Sequence, residues 1–136
     1  PNADAGSADM AKVIRKFREI GFTNNIYFFK NLDLNTYINL MNLTSCLIGN
    51  SSSAIREGAY IGTPSVNIGS RQNGRERAKN VIDTNNDTIN ILKAIKKQIL
   101  IKKFKSSNIY GDGNSAKKIS KILSVIKVDI QKKISY

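Results

Sequence analysis

Histidine and tryptophan are absent from this 136-residue chain, and cysteine occurs once. Without histidine there is no imidazole for acid–base work at neutral pH, and one thiol with scattered carboxylates makes no zinc or transition-metal site. A lone cysteine also excludes a disulfide framework and fits a reducing compartment; Cys46, inside a short apolar run, is expected in the core. No stretch approaches the ~18 consecutive apolar residues that span a bilayer, and the amino terminus lacks the charged-then-apolar layout of a secretion signal. The expectations are a cytoplasmic protein with no membrane partner, no metal and no cofactor. At 136 residues the chain suffices for one domain able to bury a real core, but not for two.

Acidic residues are also scarce, ten against 22 basic ones, for a net charge of +12. Basic chains often bind nucleic acid or anionic surfaces. Here the excess is local. Residues 93–136 hold twelve lysines against Asp112 and Asp129, whereas residues 1–92 carry ten basic and eight acidic groups. The lysines interleave with Ile91, Leu92, Ile95 and Ile99, then with Ala116, Ile119, Leu123 and Ile126, the spacing of apolar stripes on helices with solvated faces elsewhere. The tail has no arginine forks and no tryptophan to stack on bases, so nucleic acid is not the expected partner. Sixteen asparagines and twenty isoleucines point instead to a compositional drift of the whole sequence.

Hydrophobic periodicity alternates along the chain. Ser7 is positioned to cap a helix with Met10, Val13, Ile14 and Phe17 on one face and Gly21 at its end. Residues 25–29 read as a strand, Asp33 caps a helix with Tyr37, Leu40 and Met41 inside, and residues 46–48 read as a buried strand. A helix opened by Ser51, Ser52 and Ser53 leads through the Gly62-Thr63-Pro64 turn to a strand at residues 65–68, with a further short strand at 80–82. Helices are expected at 88–100 and from Ser115 to about Val125, separated by a break at 106–114 in which Asn114 or Ser115 caps the last helix. The fold class is therefore α/β, a Rossmann-like parallel sheet flanked by helices, because each parallel crossover needs about a dozen residues and a helix supplies them. Gly111-Asp112-Gly113-Asn114 is too short for a calcium loop and lacks the lysine of a Walker loop.

The chemistry concentrates between Ile48 and Arg77. Three serines at a helix start bring hydroxyls, unpaired backbone N–H groups and the positive end of a helix dipole to one point, which attracts phosphate. Glu57 lies about a turn and a half further on, where a carboxylate accepts hydrogen bonds from ribose hydroxyls. Arg71 emerges at the carboxyl end of the 65–68 strand, the edge that holds ligands in open α/β sheets. Taken singly, the serines read as a cap, Glu57 as a helix residue and Arg71 or Arg75 as surface cations. Together at one end of a β-α-β unit they point to a diphosphate site.

The same residues carry a resemblance. Asn50-Ser51-Ser52-Ser53, Ile55-Arg56-Glu57, Gly62-Thr63-Pro64, Asn67-Ile68-Gly69 and Arg71-Gln72-x-Gly74-Arg75 resemble the C-terminal nucleotide-binding domain of the UDP-N-acetylglucosamine 2-epimerases, particularly the hydrolysing branch. Pro1-Asn2-x-Asp4-Ala5-Gly6-Ser7 and Ile109-Tyr110-Gly111-Asp112-Gly113-Asn114 extend the similarity over most of the chain. Ala54 stands where the family usually has glycine, and Gly58-Ala59 replaces a commoner small-residue pair.

The resemblance implies the C-terminal half of a two-domain glycosyltransferase-B-like fold, with residues 1–136 a single UDP-binding domain and 115–136 its terminal helix and tail. Ser51, Ser52 and Ser53 would hold the diphosphate, Glu57 the ribose, and Arg71 a phosphate or the sugar-nucleotide. Asn50, Gln72, Arg75 and the backbone near Leu32, which would meet the uracil, form a second tier. The family's catalytic acids lie in an N-terminal domain and a histidine contributes as well, so no catalytic residue is expected here. The chain would be a piece of a longer enzyme, inactive alone. Its expected partners are a UDP-sugar and that N-terminal domain, with self-association and the choice between hydrolysing and non-hydrolysing chemistry left open. The alternative is a stand-alone module for UDP-sugars or polyanions.

Overall fold

The computed structural model describes residues 7–21, 25–127 and 131. They fall into two compact units, Pro1–Asp33 and Leu34–Tyr136. Residues 1–6 of the amino-terminal motif lie outside the described residues, as does most of the tail beyond residue 127.

In the first unit, helix α1 (Ser7–Glu19) carries Asp9 in its first turn and Lys16 and Arg18 in its last, each sign opposing the local end of the helix dipole. Gly21 follows with φ of 81°, the left-handed stop that the sequence suggests. The strand expected at residues 25–29 does not form. Aromatic and β-branched side chains favour extended backbone, but a strand exists only where a neighbour accepts its hydrogen bonds. Here Tyr27 and Phe29 are exposed, and Phe28 instead meets the Arg18 guanidinium, 5.1 Å from the ring centroid, a cation–π contact within the unit.

The second unit holds α2 (Leu34–Leu43), β1 (Leu47–Gly49), a single 3-10 turn (Ser52–Ala54), α3 (Glu57–Ile61), β2 (Ser65–Ile68), β3 (Val81–Thr84), α4 (Thr88–Ile99) and α5 (Ser115–Val125). The strands form one parallel sheet in the order β1-β2-β3, with Ile48 opposite Val66 and Val66 opposite Ile82. This is the α/β, Rossmann-like architecture expected. One crossover departs from it, because the chain travels from β2 to β3 through residues 69–80 without a helix.

Strand β3 begins one residue later than the sequence suggests and runs two residues further. Asn80 is drawn into the core, where its amide donates to the carbonyls of Ala54 (3.0 Å) and Thr63 (2.9 Å). At the far end pairing continues through polar residues, since buried Asn67 of β2 donates to the Asp83 carboxylate opposite it at 2.6 Å.

The core is small in apolar terms: Met41, Ala54, Ile55, Ala59, Val66 and Ala94 are buried. Threaded among them are Thr63, Ser65, Asn80 and Gln98, each no more than 1% exposed. Thr63 Oγ1 donates to Met41 O (2.8 Å), Ser65 Oγ to Thr63 O (2.9 Å), and Gln98 Nε2 to both Ser65 O (2.7 Å) and Asn80 O (2.8 Å). Buried carbonyls need donors, and here side chains add to those that the backbone supplies.

Asp87 caps α4 by accepting from Asn90 N at 2.9 Å. The helix turns Ile91, Ala94, Ile95 and Gln98 inward, while Leu92 and Ile99, expected in the apolar stripe, are half exposed. After α4 the chain crosses the ends of α2 and α3: Lys103 Nζ donates to Asn42 O (3.0 Å), Phe104 N to Gly62 O (2.9 Å) and Ser107 N to Ala59 O (3.0 Å). No residue of α5 is buried, so its stripe of Ile119, Leu123 and Ile126 faces outward. Among the described residues no helix is long and apolar enough to cross a membrane.

Two substitutions probe this core. Asn80→Ala strips donors from two buried carbonyls and should lower stability by about 2–4 kcal/mol in urea unfolding, against less than about 0.5 kcal/mol for exposed Lys117→Ala. Gly62→Ala should be at least as damaging, because φ there is 79° and the added methyl would collide with the Phe104 carbonyl.

Candidate functional site

The polar turn after β1 is built by Gly49, whose φ of 146° few other residues adopt, followed by Asn50 and the serines. Ser51 occupies the cap position (φ −74°, ψ 143°), and its Oγ accepts from Ser53 N at 3.3 Å while lying 3.2 Å from Ser53 Oγ. The serines open a 3-10 turn, and the helix expected from them follows only as the short α3. Within it Ala54 N, Ile55 N and Arg56 N are already bonded to the carbonyls of Ser51 and Ser52. The helix that follows, α3, has five residues, too few for a sizeable dipole. What this turn offers a ligand is therefore hydroxyl groups, with Ser51 exposed and Ser52 and Ser53 half-buried, rather than a fan of unpaired N–H groups.

Asn50 is the meeting point of the two loops. Its carbonyl accepts from Gln72 Nε2 at 2.7 Å and, at the long end of hydrogen bonding, from Arg71 Nη1 at 3.4 Å. Gln72 is 2% exposed, an anchor rather than a surface group. The structure thus brings Asn50, Arg71 and Gln72 into direct contact, with the Arg71 guanidinium beside the residue that precedes the serine triplet.

Arg75 is exposed further along the same loop. Glu57 opens α3 and, with Arg56, Tyr60, Tyr110 and Asp112, lines a cleft of about 580 Å³ to which neither the serines nor Arg71 contribute. Leu32 belongs to the first unit, where its N–H is bonded to the Asn31 side chain at 3.1 Å.

Several polar contacts of this region escaped the sequence reading. Arg77 pairs with Asp83, and Tyr110 OH donates to Glu76 O at 2.8 Å, tying the loop to the segment after α4. The break before α5 is organised by Asp112, whose carboxylate accepts from Lys118 Nζ (2.9 Å) and Asn114 N (3.1 Å). Asn114 stands at the cap position, yet its side chain makes no capping bond. The Lys118 hydrogen bond, aided by the Asn114 N–H, holds the Asp112 carboxyl down from 3.8 to about 2. Among the described residues no three His, Cys, Asp or Glu side chains cluster as a metal site. Half-buried Cys46 has its thiol pushed up by burial, partly offset by a backbone hydrogen bond with Val66, which makes it a poor nucleophile.

Comparison with known proteins decides the lineage. Residues 1–124 match the family described as UDP-N-acetylglucosamine 2-epimerase. The chain belongs to that family. It is 34% identical over 131 residues to the UDP-N,N'-diacetylbacillosamine 2-epimerase (hydrolyzing) of Legionella pneumophila, covering 96% of this chain and 34% of the relative. It is 27% identical over 126 residues to the UDP-N-acetylglucosamine 2-epimerase of Neisseria meningitidis serogroup B, covering 93% and 32%. A third relative, the GDP/UDP-N,N'-diacetylbacillosamine 2-epimerase (hydrolyzing) of Campylobacter jejuni, is 36% identical over 83 residues, covering 61% and 21%. The chain thus spans about a third of the length of the first two epimerases it matches.

Family membership makes one departure informative. Ala54, standing where the resemblance leads one to expect glycine, has no positive φ, and its methyl is buried, so the turn does not depend on glycine here.

The Asp112 contact carries a pH signature. A lowered carboxyl pKa means that its stabilising contribution is complete above about 3.8 and is lost as pH falls through about 2. Carbon-13 titration of the Asp112 carboxyl should give a midpoint near 2, moving back toward 3.8 in Lys118→Ala.

Proposed function

We propose that this chain is the UDP-binding part of a hydrolysing UDP-N-acetylglucosamine 2-epimerase, acting in the cytoplasm in amino-sugar biosynthesis of the sialic-acid type. One observation carries the reading. The Asn50 carbonyl gathers Gln72 and Arg71 at one point, so a guanidinium stands beside the residue that precedes the serine turn. In this assignment Ser51, Ser52 and Ser53 donate hydroxyl hydrogen bonds to the diphosphate, and Arg71 supplies the charge-assisted contact that neutral hydroxyls lack. Glu57 accepts from the ribose hydroxyls in its cleft, while Asn50, Gln72 and Arg75 shape the surroundings of the diphosphate.

The family chemistry places UDP as a leaving group. The bond between the first sugar carbon and the diphosphate oxygen breaks, a proton leaves the second carbon, and an unsaturated glycal and UDP separate. Water then adds to the glycal to give N-acetylmannosamine. As the bond breaks its electron pair passes to the diphosphate, and donors already fixed by the turn and by Arg71 hold that growing charge without reorganising. Proton removal and water addition belong to the remainder of a longer enzyme. The hydrolysing branch is favoured because two of the three relatives bear "hydrolyzing" in their names. The Neisseria relative, named without that word, favours the epimerising alternative, in which UDP returns to the opposite face. Product analysis on the full-length enzyme separates the two.

Calorimetric titration of UDP tests the assignment. Wild-type chain should bind, and combined Ser51→Ala and Arg71→Ala should weaken binding by roughly two orders of magnitude or more, charged hydrogen bonds contributing about 1.5–3 kcal/mol each. Neutralising Lys117, Lys121 and Lys127 should leave the affinity within about threefold. Equal affinity for any polyanion, collapsing with salt and indifferent to the serine and arginine changes, would sink the proposal. The chain alone should turn over no UDP-N-acetylglucosamine.

A further inference from the structure

We infer that Arg77 is a positioning residue for the diphosphate site, holding the 69–77 loop so that Arg71 stays beside the serine turn. This deepens the UDP-binding reading and rests on it for its functional consequence.

The crossover from β2 to β3 contains no helix, so its residues lack a helix's internal hydrogen bonds. Something else must fix it. Gln72 ties the start of the loop to Asn50 at 2.7 Å, and Arg77 ties the end. The Arg77 guanidinium engages Asp83 in fork geometry, Nε to Oδ2 at 3.1 Å and Nη2 to Oδ1 at 3.2 Å. Its remaining donors turn inward: Nη2 meets Gln72 O at 2.8 Å and Nη1 meets Arg75 O at 2.6 Å. One planar group therefore joins a β3 carboxylate to two carbonyls of the loop that carries Arg71. Lysine has no such fork.

The clasp is anchored at its base as well. Asp83 Oδ1 accepts from buried Asn67 Nδ2 at 2.6 Å, so the carboxylate is already oriented by the sheet before Arg77 reaches it. The side chains are 21% and 49% exposed, enough burial of the guanidinium to keep the geometry, with the carboxylate's outer face wet. Because Gln72 is adjacent to Arg71 and both contact Asn50, releasing the Gln72 carbonyl frees the residue that aims Arg71. Arg77 itself need not touch the ligand.

The test uses this chain with Arg71→Ala, Arg77→Ala, Arg77→Lys and the Arg71→Ala/Arg77→Ala double variant, with two readouts. Without ligand, amide hydrogen exchange of residues 70–76 should speed up by roughly tenfold or more in Arg77→Ala, and somewhat less in Arg77→Lys, while α4 amides keep their protection. With UDP, Arg77→Ala should weaken binding roughly tenfold, and the double variant should bind no worse than Arg71→Ala alone, the non-additivity expected when one residue works through the other. Unchanged loop exchange overturns the inference whether or not UDP binds. So does a fully additive double variant, which would mean that Arg77 acts independently of Arg71. Absence of UDP binding by the wild-type chain, with faster loop exchange in Arg77→Ala, overturns the nucleotide reading and with it the assigned role, leaving only a loop clasp.

Discussion

Two buried amide side chains hold together the turns and strand ends of the second unit. Asn80 and Gln98 donate to the carbonyls of Ala54, Thr63, Ser65 and Asn80, which lie in the serine turn, the turn before β2, the start of β2 and the residue before β3. An unsatisfied buried carbonyl costs about 1–3 kcal/mol, so the amides matter most where other donors are few; Thr63 O also accepts from Ser65 Oγ. With strands of three or four residues the backbone ladder meets only part of this need, Ser65 N donating to Asn80 O at 2.8 Å, and the amides supplement it. The serine turn is held at its far end by Asn80, which makes its position a property of the core rather than of the loop.

That arrangement lets a helix-free crossover sit at the carboxyl edge of a parallel sheet. A helix between β2 and β3 would fix residues 69–80 by its own hydrogen bonds, but it would also consume the N–H and C=O groups along the way. Here the loop is fixed at three points, on Asn50 through Gln72, on Asp83 through Arg77, and on Tyr110 through Glu76. The consequence is an exposed guanidinium on a short tether with defined ends. Loop residues held by a rigid scaffold are where binding groups are ordinarily found, and this geometry explains how such a loop keeps its shape.

Much of this was legible in the residues. The alternation of apolar runs and amphipathic stretches sufficed for an α/β parallel sheet, and the Asn50 to Gln72 motifs sufficed for the family. The strand at residues 25–29 misled because composition reports a preference for extended chain and cannot supply the neighbour that completes it. The serine triplet misled about length, since a cap signature marks where a helical turn starts and says little about how far it runs. The clasp between Arg77 and Asp83 was invisible because it depends on the register that sets Asp83 opposite Asn67. Asn80 and Gln98 were hidden for a related reason: in one dimension a polar residue in an apolar stretch reads as a boundary, and only the packed sheet reveals carbonyls in need of donors.

The basic excess finds its place by range. Twelve lysines beyond residue 92 raise the potential around the molecule, but those among the described residues are exposed, and at physiological salt the influence of such charges fades within about 8 Å. A diphosphate bearing two or more negative charges feels such a field as attraction toward the surface, with no preferred pose. Pose requires short, directed contacts of the kind the serine hydroxyls and a fixed arginine fork provide, each falling off within an ångström of its optimum. Lysines on flexible stems could be exchanged for other cations with little change in that field, whereas the role proposed for Arg71 depends on where it stands. For the proposed site, which would steady a leaving group as charge develops, position would outweigh total charge.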